Sequence, residues 1–107
     1  MHASFGPVRT IQTTGSMVSH LHPAHPTHFV TATAAPCTGL FKPVWLDVPL
    51  PDMGPAPTGT YDAASLYWRH EALHRATLRD YAAILGLYAP VRDALEASLV
   101  EGALARA

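Results

Sequence analysis

One cysteine, one lysine and no asparagine are found in this chain of 107 residues. The lone Cys37 excludes an intrachain disulfide and fits a reducing, cytoplasmic compartment. Charge is scarce as well: Asp, Glu, Lys and Arg make up 14% of the chain, against roughly 25% in ordinary soluble domains. A surface so poor in charge implies that part of it is buried against another polypeptide. The few basic residues are scattered and the formal net charge is −1, so the chain has no electrostatic footprint for nucleic acid. No apolar run approaches the ~20 residues that span a bilayer, and the opening MHASFGPVRT lacks the apolar core of a signal peptide. No membrane partner is expected, and the length allows at most one small domain.

What is present is a ribbon pattern followed by a helical one. Residues 28–33 and 40–46 read as two strands joined by Ala35-Pro36-Cys37-Thr38-Gly39, which has the Pro and Gly of a turn. Pro43 in the second strand cannot donate a ladder hydrogen bond, so an edge or a bulge is expected there. Upstream, residues 8–14 and 16–22 read as two further strands separated by Gly15. Residues 1–47 thus form a β region. Residues 48–61, with four prolines and two glycines, form an extended connection, and residues 62–107 are helical.

In that helical region Asp62 is a suitable N-cap for a helix starting at Ala63. On a helical wheel Leu66, Tyr67, Leu73, Leu78, Tyr81, Ile84 and Leu85 share one broad face with His70 and His74 near its middle. Trp68, Arg75 and Arg79 lie opposite. Pro90 lacks an N–H and is placed in the first turn of a separate last helix, with Asp93 and Glu96 near its start and Arg106 at its end. The order predicts an α+β fold, antiparallel strands followed by C-terminal helices, together one incomplete domain.

Three local patterns carry possible chemistry. His70-Glu71-Ala72-Leu73-His74 is a literal H-E-x-x-H, in which two imidazoles one turn apart hold Zn²⁺ and the Glu serves as general base. That zinc-hydrolase reading needs a third ligand, for which Glu96 is a loose candidate, and Arg75 directly after the second His is out of pattern. Two packing histidines on a buried helix face, with no metal, is the favoured reading. His20, His22, His25 and His28 form a second group, with His20 and His22 on one side of a strand; no Cys or carboxylate joins them, and a surface cluster is expected. Cys37 has Pro36 and Thr38 beside it, neither a base nor a cation, and reads as a half-buried turn residue and not a nucleophile. Trp68 and Arg75, seven apart, suit a partner surface, so a non-catalytic protein-binding module is a further alternative.

Four stretches taken together resemble one family. Thr13-Thr14-Gly15-Ser16-Met17-Val18, the ribbon Thr31 to Cys37 running into Phe41-Lys42-Pro43-Val44-Trp45, Leu66-Tyr67-Trp68-Arg69-His70-Glu71, and Leu73-His74-Arg75 are similar to the C-terminal part of secernins and their dipeptidase relatives. These are cysteine hydrolases of the N-terminal-nucleophile superfamily. The resemblance spans roughly residues 8–100. It implies a four-layer α-β-β-α sandwich, amide-bond cleavage by an N-terminal Cys whose own α-amino group is the base, no cofactor, and no zinc at H-E-x-x-H. This chain begins Met-His-Ala-Ser and its Cys37 matches an internal position. The expectation is therefore a C-terminal fragment or split subunit, not catalytic by itself. Its partner is then the missing N-terminal hydrolase segment or a second copy. The motif residues Cys37, Phe41, Lys42, Pro43, Trp68, Arg69, His70, Glu71, His74 and Arg75 are expected to be structural.

Overall fold

A computed structural model describes residues 11–106. Among these residues, three strands form one antiparallel sheet in the order β1-β2-β3: β1 Ser16–His20, β2 Thr27–Thr31 and β3 Lys42–Val44. Two helices follow, α1 Leu66–Thr77 and α2 Tyr81–Arg106. The fold is α+β, strands first and helices after.

The strands are shorter than their patterns suggest, and the reasons are local. β1 stops at His20 because the chain turns at once: His22 Nδ1 accepts the backbone N–H groups of Ala24 and His25, both at 3.3 Å. His20 and His22 therefore do not share a strand, contrary to expectation. Residues 11–15 are not a strand; Thr13 is instead held by its carbonyl, which accepts the N–H of Ala35 at 3.1 Å. The rest of that predicted strand, residues 8–10, lies outside the described residues. The turn is a short 3₁₀ helix, Pro36–Thr38, entered through Ala35 in the left-handed region (φ 48°) and closed by Thr38 Oγ1 donating to the Ala35 carbonyl at 2.8 Å. Gly39 suits its place: a Cβ there would sit 2.9 Å from Thr33 Oγ1 and 3.1 Å from Thr31 Oγ1. Pro43 opposes Phe29 on an edge strand, where a missing donor is tolerated.

The connection after β3 ends at Ser65, and α1 starts at Leu66, three residues beyond the expected start at Ala63. Asp62 Oδ1 accepts from Ala64 N at 2.8 Å, so it caps a preceding turn and not the helix. Gly54 (φ 79°) lies directly against the Ala64 carbonyl, and the Met53 carbonyl takes the N–H of Leu66 at 3.1 Å, which pins the connection to the helix entry.

The helices depart most from the sequence pattern. α1 ends at Thr77, a turn occupies residues 78–80, and α2 runs unbroken through Gly86 and Pro90. Pro90 is thus inside a helix and not at the start of one. Two features make this tolerable. The carbonyl that a residue-90 N–H would have met belongs to Gly86, where the backbone is least constrained. Polar contacts also hold α2 on both sides of the proline: Tyr88 Oη donates to the Thr38 carbonyl (3.2 Å), Arg92 Nη1 to the Cys37 carbonyl (3.1 Å), and Glu96 Oε2 accepts the Phe41 N–H (2.9 Å). Farther along, Arg106 stacks 4.6 Å above the Trp45 ring and approaches Asp47 at 3.6 Å. α2 therefore runs alongside residues 37–47.

The interior is small and polar. The apolar side chains buried among the described residues are Phe29, Ala35, Pro36 and Ala103, while Thr27, Thr31, Thr38, Ser65, Glu71, His74 and Thr77 are also buried. Thirteen large apolar residues of the described segment are exposed. Met17 and Val18, on opposite faces of β1, are 65% and 58% exposed, so that strand is covered on neither side.

Candidate functional site

The motif residues of α1 converge on a buried polar seam. Glu71, His74 and Thr77, spaced three apart, point inward, whereas the predicted apolar face is only half-buried at Leu66 and Leu73 and open to solvent at Leu78 and Tyr81. The wheel assumed one continuous helix; the turn at residues 78–80 removes Leu78 and everything after it from that face. Ser65 Oγ, His70 Nε2, Glu71 Oε2 and His74 Nδ1 are buried without a hydrogen-bond partner among the described residues, and each such atom carries a desolvation cost of about 1–3 kcal/mol.

Each imidazole has a distinct setting. His74 is almost wholly buried, with Nε2 at 3.5 Å from Gln12 Nε2. His70 is half-buried, and burial lowers its pKa below the ordinary histidine value; the positive charge of Lys42 and the neighbouring His74 act the same way, while Glu71 opposes them. Glu71 Oε1 accepts from Arg75 Nε at 3.0 Å, an ion pair one helical turn long, and Oε2 is the oxygen left unpaired among the described residues. No three His, Cys, Asp or Glu side chains are grouped to hold a metal among the described residues. Glu96, the loose third-ligand candidate, is committed to the Phe41 N–H.

The other predicted residues are placed as follows. Trp68 donates to the Thr58 carbonyl at 3.1 Å and meets Tyr61 and Tyr67 edge-on. Arg75 donates its Nε to Glu71 while most of its side chain is exposed, and Arg69 is exposed. Lys42 Nζ donates to the Leu40 carbonyl at 2.9 Å, and burial lowers its pKa while Glu96 acts in the opposite sense. In the histidine group, His28 Nδ1 bonds Ser19 Oγ at 2.8 Å across the sheet.

Cys37 differs from expectation. It is exposed and not half-buried, and it shares a cleft of about 420 Å³ with His74, Thr77, Leu78 and Tyr81. Residues 37 apart in sequence are thus brought to one cavity, which no local pattern announces. The polar stripe Tyr88, Arg92, Glu96, which ties α2 to the backbone of residues 37–41, was also missed. Its i, i+4, i+8 spacing was the available signal.

No protein family, no curated protein and no solved structure matches the chain.

Proposed function

We propose that this chain is a non-catalytic C-terminal portion of a secernin-like amidohydrolase of the dipeptidase class, completed by a partner polypeptide. In that reading its sheet and helices are two adjacent layers of an α-β-β-α sandwich. The N-terminal hydrolase segment, or failing that a second copy, supplies the rest. The observation that carries the reading is the imbalance of apolar burial: Phe29 is the one large apolar side chain buried, beside Ala35, Pro36 and Ala103, while thirteen large ones are exposed among the described residues. A small domain's stability is a margin of roughly 5–15 kcal/mol, and burial contributes ~25 cal/mol per Å². Several hundred Å² of wet apolar surface is therefore of the same order as the whole margin. The bare faces of β1 and the unsatisfied polar atoms on α1 support the same reading.

Sedimentation, dye binding and a dipeptide assay on the isolated chain test it. The expected outcome is self-association or binding of a hydrophobic dye, a melt of low cooperativity, and intact dipeptides. A compact monomer with a sharp two-state melt and no dye binding overturns the incomplete-domain reading in favour of a self-standing module. Dipeptide turnover that disappears in Cys37→Ser overturns the non-catalytic one.

A further inference from the structure

A groove of about 600 Å³ runs between β3, the connection that follows it and the middle of α2. Val44, Trp45, Leu50, Leu95 and Leu99 make its walls apolar, and the only charged side chain among its lining residues is Lys42. The Lys42 ammonium carries three donors, one of which goes to the carbonyl of Leu40, itself part of the wall. Among the described residues no carboxylate lies within ion-pair distance of it. Glu96 acts on the charge from farther away, and its Oε2 is occupied by the Phe41 N–H. A half-buried cation with no carboxylate in ion-pair contact among the described residues, set in an apolar wall, is complementary to one kind of molecule: an anion with an apolar tail.

We propose that the β3–α2 groove binds a medium-chain carboxylate, its alkyl chain on the apolar walls and its carboxylate on the Lys42 ammonium. The volume suits a small organic ligand. A charge-assisted hydrogen bond in a partly desolvated setting is about twice as strong as a neutral one, so the head group should decide the affinity among tails of equal length. Leu50 and Leu95 of the groove wall are also among the exposed apolar residues that the hydrolase reading assigns to a partner, so the test is made on the isolated chain.

Isothermal titration of the full chain with decanoate, decanol and decyltrimethylammonium, below micelle formation, tests it. Decanoate is expected to bind saturably at one per chain and at least fivefold more tightly than decanol, with the cationic amphiphile weakest. Lys42→Met, checked for folding by circular dichroism, should bring decanoate down to the decanol level, and Lys42→Arg should keep the preference. Leu95→Glu, a change at a half-exposed position of the groove wall, should expel decanoate while sparing decyltrimethylammonium. Equal binding of decanoate and decanol by the unmodified chain overturns the proposal, as does non-saturable uptake of all three or no binding at all.

Discussion

At the scale of the residue, the α1 seam shows how burial and charge set a histidine's behaviour. His70 is held below its ordinary pKa first by burial and then by Lys42 and His74. The folded state thus favours the neutral ring, and below about pH 6.5, where the histidine of an unfolded chain becomes charged, the unfolded state binds more protons. Stability attributable to His70 is therefore constant above that pH. It declines as pH falls from there through the folded-state pKa, and is level again below it. Melting temperatures from pH 8 to pH 4.5 should show this decline, and His70→Gln should flatten it. An equally steep decline in the variant places the acid sensitivity elsewhere. Beside this seam, Glu71 Oε1 turns to Arg75, an i,i+4 pair of the kind that neighbours on one helix face form.

At the scale of the element, the break between the helices is more informative than their lengths. Asp80 immediately precedes α2, and its Oδ1 accepts from Ala83 N at 3.3 Å while its carbonyl takes the N–H of Ile84 at 3.0 Å, a capping arrangement. A helix that begins here needs no boundary at Pro90. Asp80→Ala should lower stability by about 1 kcal/mol, read as a shift in the urea midpoint, while Asp80→Ser should retain most of it. Had Pro90 been the true helix start, neither change would matter. The apolar wheel misled at this scale because it ran one phase through two helices that the turn at residues 78–80 separates.

At the scale of the whole molecule, the sheet and α2 are joined by polar contacts to backbone more than by a shared apolar core. Glu96 is central to that joint, since its carboxylate receives the N–H at the entry to β3. Glu96→Ala should cost about 1–3 kcal/mol, the range for hydrogen bonds to charged groups, whereas Glu96→Gln, which keeps an acceptor, should cost less. Equilibrium denaturation of both variants measures the difference, and equal losses would show that the bond contributes nothing beyond the side chain's packing.

What the sequence by itself determined is the part governed by neighbours along the chain. The α+β order, the strand–turn–strand at residues 27–44, the edge position of Pro43 and the helical C-terminal region all follow from periodicity, turn residues and the missing N–H of proline. These are short-range effects, and they survive whatever the chain later packs against. Tertiary structure decided the rest. His74 and Cys37 share one cleft, Lys42 sits in an apolar wall, and α2 passes through Pro90, because elements distant in sequence meet there. Burial, desolvation and counter-ion distance are properties of that meeting, which a one-dimensional pattern does not contain.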